Sequence, residues 1–188
     1  MLTIRLEEML NDKDSMEGLS KQVWSGAIFI YPTDTVYGIG CNAEDEAAVR
    51  KVRRIKGTDH PLSVIAPSKE WISENLETNF TDYLSQFPGP ITLIMKKRSS
   101  FLDWAAKGAT LGVRMPDHPF MKLIELAGVP FITTSANKSG EPTISGIREI
   151  PRELEREVDF AIDGGPAPSG KPSKVIDLTG YEPKVLRE

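Results

Sequence analysis

The feature that most constrains this chain is the stretch from Ile28 to Gly40, IFIYPTDTVYGIG. Four apolar residues with a β-branched and aromatic bias, Ile28 to Tyr31, run into Pro32, and small hydroxyls and a carboxylate follow where another apolar turn could have stood. The pattern predicts a buried strand that stops at Pro32. The missing N–H and fixed φ of that proline favour an extended Tyr31 and put Thr33, Asp34 and Thr35 on a turn at the sheet's edge. Gly38 and Gly40 then let the backbone come close to a neighbour. Open α/β sheets place their ligands at such polar turns, beyond the carboxyl ends of buried strands. By spacing alone, the stretch reads equally as an ordinary strand with a hydroxyl-rich turn.

The rest of the chain alternates short helices and strands, which predicts an α/β architecture. Helices are expected over Asp14–Trp24, stopped near Gly26, and from Asp45 to Lys56, with an acidic start, a basic end and Gly57 behind it. Ser68 opens a short helix, and Asn79 to Phe87 reads as another. Asp117 is the candidate cap of a helix that runs to Gly128, and Arg148–Glu157 is read as helical with Pro151 in a first turn. Strands are expected at Leu62–Ala66, Ile91–Met95, Leu111–Met115, Val129–Thr133, Asp159–Asp163, Val175–Leu178 and Val185–Leu186. The strand at Val129 runs into TSANKSGEPTISG, a second long polar loop.

A length of 188 residues predicts one domain, residues 1–188, and 39% hydrophobic with 27% charged residues is ordinary for a soluble globular chain. No apolar run has membrane-helix length and the N-terminus lacks the pattern of a signal peptide, so a cytoplasmic protein without membrane contact is expected. The single cysteine, Cys41, excludes an intramolecular disulfide and a thiolate cluster. A net charge of −4 argues against a chain whose main task is gripping nucleic-acid backbone, and points to a small ligand.

Two phosphate-binding patterns fail on inspection. Gly165–Lys171, GPAPSGK, has the spacing of a phosphate loop, but Pro172 stands where a hydroxyl would hold magnesium, Pro166 and Pro168 remove donors, and a strand follows. Gly38, Gly40 and Ala43 imitate a dinucleotide fingerprint, yet Pro32 interrupts the strand before them and no acid closes the next strand. His60 and His118 lie in no metal-ligand spacing, so no metal held by the protein itself is expected. What remains is a set of anion-friendly loops at strand and helix ends: Arg54 and Lys56, Arg114, Ser135 and Asn137, and Arg187. Together they suit one cleft for a phosphorylated ligand and a carboxylate.

Beyond YPTDTVYGIG, the chain carries PGPIT from Pro88, GVRMPDHP from Gly112, TSANKSGEP from Thr134, DGG from Asp163, SKVIDL from Ser173 and VLR from Val185. In this order the blocks resemble those of the YrdC/TsaC family, the threonylcarbamoyl-AMP synthases. The resemblance implies a single twisted, mixed-sheet α/β domain with flanking helices and a large basic-lined cleft. It implies a nucleotidyltransferase that joins L-threonine, bicarbonate and ATP, with magnesium brought in by the nucleotide, to give threonylcarbamoyl-AMP and pyrophosphate for N6-threonylcarbamoyladenosine in tRNA. Downstream threonylcarbamoyl-transfer proteins, and structured RNA or tRNA, are the implied macromolecular partners. By the family's pattern Thr35, Arg114, Thr133 and Ser173 hold threonine. Arg54 and Lys56 lie on the triphosphate, and His60, Thr110, Ser135, Asn137, Ser145 (or Thr143) and Arg187 position the rest of ATP.

The chain departs from that pattern in four places. Arg54-Ile55-Lys56 stands where Lys-x-Arg is common, His60 where Asn is common, Ile65 where His is common, and Lys174 where Thr is common. The sequence also ends one residue after Arg187. A non-catalytic RNA-binding module, and an offshoot acting on another nucleotide or acyl donor, are the competing readings.

Overall fold

The computed structural model describes all residues, Met1–Glu188. A mixed sheet of eleven strands is formed by β1 (Leu2–Arg5), β2 (Phe29–Tyr31), β3 (Gly38–Gly40), β4 (Ser63–Ile65), β5 (Leu76–Glu77), β6 (Ile91–Lys97), β7 (Thr110–Arg114), β8 (Phe131–Ser135), β9 (Phe160–Asp163), β10 (Lys174–Asp177) and β11 (Lys184–Arg187). Their order is β1-β9-β2-β3-β8-β4-β7-β6-β10-β11, with β5 added to β6. Four pairs are parallel (β1–β9, β2–β9, β4–β7 and β6–β10) and the others antiparallel. Six α-helices flank it: α1 (Leu6–Asn11), α2 (Lys13–Trp24), α3 (Glu46–Lys56), α4 (Lys69–Asn75), α5 (Met121–Ala127) and α6 (Arg152–Glu157). None is long and apolar enough to cross a membrane.

Helix α3 follows its local chemistry. The Asp45 side chain accepts from the Ala48 N–H at the start, Ala48, Val49, Val52 and Ile55 face the core, and Gly57 ends the helix at φ 62°. Its last turn carries Arg53, Arg54 and Lys56, which favour the negative end of the helix dipole. Ser68 caps α4 as expected, its hydroxyl accepting from Trp71 N–H at 3.1 Å.

Other local expectations give way to tertiary contacts. Asp117 does not cap α5: its N–H donates to Asp34 Oδ2 at 3.0 Å, and the helix starts four residues later behind Phe120. The Asn79–Phe87 segment is a 3₁₀ turn, Thr81–Gln86, and Pro151 precedes α6 instead of lying in its first turn. Strand β1 and helix α1 had no clear signal, since β1 is mostly exposed and gains its place by parallel pairing with β9.

Gly38 and Gly40 form a strand, β3, inserted antiparallel between β2 and β8. A Cβ on Gly40 would lie 1.7 Å from the Ile132 carbonyl oxygen, and one on Gly38 would lie 2.7 Å from the Tyr31 ring. The close neighbour that these glycines admit is the protein's own sheet. Under it lies a core cluster of 49 buried apolar residues, in which Tyr31 stacks on Phe120 at 4.4 Å and meets Phe131 edge-on at 5.6 Å.

Gly40→Ala should therefore lower the unfolding free energy by more than about 3 kcal/mol, or prevent folding, because backbone and not a movable side chain fills the space. Gly18→Ala, in α2 with nothing within 4 Å of the added carbon, should stabilise by about 0.5–1 kcal/mol. Urea denaturation of the two variants checks both signs.

Candidate active site

Strand register gathers the polar residues. Directly paired residues share a face of a sheet, and here Gly38 pairs with Ser135, Ser63 with Thr133, Thr92 with Val175, and Val175 with Arg187. Arg114 pairs with Ile65, two residues beyond Ser63, and so falls on the same face. The result is a cavity of about 200 Å³ across the middle of the sheet, with sixteen lining residues of which three are hydrophobic. Thr35, Arg114, Thr133, Ser135, Ser173 and Arg187 all line it.

The turn after β2 supplies one wall. Thr33 Oγ1 accepts from Thr35 N–H at 3.1 Å, donates to the Val36 carbonyl at 2.7 Å and lies 2.9 Å from Thr35 Oγ1. Thr33 is thus consumed in shaping the turn, and Thr35 Oγ1 is left beside Arg114, 3.4 Å from both Nη atoms. On β8, Thr133 Oγ1 accepts from the Tyr31 hydroxyl at 2.8 Å. Opposite, Thr92 Oγ1 and Ser173 Oγ lie 2.9 Å apart.

Two guanidinium groups set the charge. Arg114, only 6% exposed, pairs through Nη2 with Asp34 Oδ1 at 2.5 Å. Asp34 uses its other oxygen on the Asp117 N–H. Arg114 Nε is buried without any partner. Arg187 donates from Nε to the Ser173 carbonyl at 2.8 Å and from Nη2 to Ser173 Oγ at 3.3 Å. Burial pushes the pKa of each arginine down, and the Arg114 charge pushes Arg187 further the same way. Both stay protonated at neutral pH. The cavity lining therefore holds two cations among hydroxyls and no carboxylate, an arrangement that favours an incoming anion.

Lys56 is placed differently. It is buried, and its ammonium donates to the Ser135 carbonyl at 2.7 Å, the Asn137 carbonyl at 2.6 Å and Asn137 Oδ1 at 2.8 Å. Burial pushes its pKa down to about 8, with Glu141 acting in the opposite direction. On the far side of the Ser135–Asn137 segment a second cavity, about 560 Å³, is lined by Arg54, Asn137, Lys138, Glu141, Glu153 and Arg156 among others.

Of the expected residues, Lys56, His60, Thr110, Thr143 and Ser145 line neither cavity. His60 is exposed, its carbonyl held by Arg53; Thr110 sits at the far end of β7 beside Lys96; the Ser145 N–H is held by Glu149. Ile65 is fully buried between β7 and β8, and Lys174 turns outward to Glu188 at 3.0 Å, adding no cation to the cavity. Asp34, Ser63 and Thr92 were not among the expected site residues. Ser63 and Thr92 left one trace in the sequence, a lone polar residue inside an otherwise apolar strand.

The sequence matches the Sua5_yciO_yrdC family, described as telomere recombination, over residues 21–188. The chain belongs to this family. A Methanocaldococcus jannaschii protein is 40% identical over 94% of this chain and 86% of its own length. A protein of Pyrococcus abyssi named threonylcarbamoyl-AMP synthase is 36% identical over 86% of this chain and 50% of its own. Among solved structures of the family, P. abyssi Sua5 complexed with L-threonine superposes with a TM-score of 0.86 at 31% identity, over 99% of this chain and 56% of that one. Escherichia coli YciO superposes with a TM-score of 0.83 at 28% identity, over 100% of this chain and 94% of that one. The chain thus spans about half the length of the Pyrococcus proteins and nearly all of YciO.

The Tyr31 hydroxyl is the one side-chain support of Thr133 on the cavity floor. Tyr31→Phe should cost about 1–2 kcal/mol in urea denaturation with an unchanged m-value, because a buried acceptor loses its donor without loss of packing.

Proposed function

We propose that this protein is a threonylcarbamoyl-AMP synthase, converting L-threonine, bicarbonate and ATP to L-threonylcarbamoyl-adenylate and pyrophosphate in the cytosol, for modification of tRNA through separate transfer proteins. The observation that carries the reading is the inner cavity, where Arg114 and Arg187 stand among hydroxyls. It is supported by membership of a family in which a relative 36% identical bears that name and a solved member was complexed with L-threonine.

In this reading the threonine carboxylate pairs with Arg114, with Thr35, Thr133 and Ser173 around the amino acid. The inner cavity, about 200 Å³, is smaller than the roughly 300–1,000 Å³ of pockets that enclose drug-sized ligands, so ATP extends beyond it. Arg187 then meets its inner phosphates with Ser135 beside the nucleotide, and Arg54 and Asn137 lie towards the second cavity. These side chains together form the basic-lined cleft.

The threonine amine attacks bicarbonate with loss of water, or carbon dioxide with loss of a proton to solvent, to give a carbamate, and a carbamate oxygen attacks the α-phosphorus with loss of pyrophosphate. Two negative charges about 4 Å apart repel by about 4 kcal/mol at an effective dielectric constant of about 20. Bringing these anions together is the main task, and fixed cations suit it better than a proton-transferring base. ATP enters as its magnesium complex. In this reading the phosphates carry the ion in as part of the substrate.

Purified protein supplied with ATP, magnesium, bicarbonate and L-threonine should release pyrophosphate only when threonine is present. Threonine-independent release would overturn the assignment, and tight RNA binding with a steep salt slope and no pyrophosphate would replace it with the RNA-binding reading. Arg114→Ala should abolish threonine dependence, a loss of roughly 2–5 kcal/mol in transition-state binding, while leaving ATP binding largely intact in calorimetry.

A further inference from the structure

Three cations end helix α3, and only one of them lines either of the two cavities described above. Arg53 is committed to the carbonyls of Trp104, Ala105 and His60. Arg54 lines the second cavity. Lys56 has three protons to donate and three acceptors within 2.8 Å, all from Ser135 and Asn137. None is left for a phosphate. The main chain of the same residue repeats the grip, the Lys56 carbonyl accepting from Ser139 N–H at 2.9 Å.

We propose that Lys56 is a positioning residue, whose ammonium and carbonyl together clamp the segment from Ser135 to Ser139 as the wall between the two cavities and thereby orient the Ser135 hydroxyl. Asn137 Oδ1 accepts from both Lys56 Nζ and Ser135 Oγ, while Asn137 Nδ2 donates to the Glu141 carbonyl. Once the amide is fixed this way, the Ser135 proton is directed at Asn137. Lys56 Nζ also lies 3.4 Å from the Ser135 oxygen, so ammonium and amide together hold this hydroxyl in one orientation at the edge of the inner cavity. Without the ammonium, two carbonyls and an amide oxygen in a closed space lose their donor, and the segment has reason to open.

Protonation of Lys56 links the clamp to pH. Burial draws its pKa down to about 8, and Glu141 is the charge that offsets this. The other charged groups at this wall are Arg54 on its own helix, the exposed Lys138–Glu153 pair, and Arg156 and Glu157 on α6. The linkage has a definite sign. Between about 8 and the ordinary lysine range the unfolded chain binds a proton that the folded one has released, so this group makes global stability rise with pH while the clamp weakens. General destabilisation would move both the same way.

Hydrogen exchange separates the possibilities. In Lys56→Gln, protection of the Ser139 and Asn137 amides should fall at least fivefold relative to the unaltered protein, with amides of β2 and β7 unchanged; a smaller change overturns the proposal. Loss of ATP affinity in that variant with loop protection intact also overturns it, since Lys56 would then act on the phosphates directly. Should Lys56→Gln not fold, the unaltered protein gives the answer. Protection factors of the two amides should fall between pH 7 and 9.5 while the urea midpoint does not, and flat protection factors overturn the proposal. Any effect on turnover rests on the synthase reading, but the exchange measurement does not: failure of pyrophosphate release in the unaltered protein would sink the reaction and leave the loop result standing.

Discussion

The structure is arranged around a buried guanidinium. An arginine that is 6% exposed is stable only if its charge is compensated, and Arg114 receives that compensation from Asp34, on a turn separated from it by eighty residues of sequence. The turn has its shape because Pro32 ends β2 and Thr33 folds its hydroxyl back onto Thr35 and Val36. Asp34 in turn holds the Asp117 N–H, which fixes the chain leaving β7 and sets where α5 begins. One ion pair thus connects the motif after β2, the strand that carries Arg114 and the helix behind it. The compensation covers only one of the cavity's two guanidinium charges, because Arg187 adds a second without a carboxylate partner. That residual demand for an anion gives the cavity its chemistry.

Sheet order makes the cavity possible. Ligands of open parallel sheets sit beyond strand ends, whereas here paired strands deliver polar side chains to the sheet's own face. This requires β3 to pass between β2 and β8 with almost no side-chain volume on that face, and Gly38 and Gly40 meet the requirement. The same insertion brings the Tyr31 hydroxyl to Thr133, so the aromatic core and the cavity floor are joined by one hydrogen bond.

Much of the local structure was legible in the sequence. Asp45 and Gly57 bound α3, Ser68 caps α4, and the apolar runs at Ile28, Leu62 and Ile91 contain strands, because caps and periodicity act within a few residues. Expectations failed where a distant partner outbid a local one. Asp117 has the composition of a cap but donates its N–H to Asp34. The site was legible to a similar depth. Thr35, Arg114, Thr133, Ser135, Ser173 and Arg187, scattered through the chain, share one cavity, while Lys56, Thr110, His60, Thr143 and Ser145 lie outside both cavities.

By itself the sequence determined the kind of fold, the family and the inventory of hydroxyls and cations, since these depend on residue type and near neighbours. Only the tertiary structure decided which cations are free. Arg53, Lys56 and Arg54 are alike in charge and adjacent on one helix, yet the first two are bound to carbonyls and the third lines a cavity. A cation's availability depends on which acceptors surround it. Those acceptors come from strands and loops placed by pairing register, which no local pattern along the chain encodes.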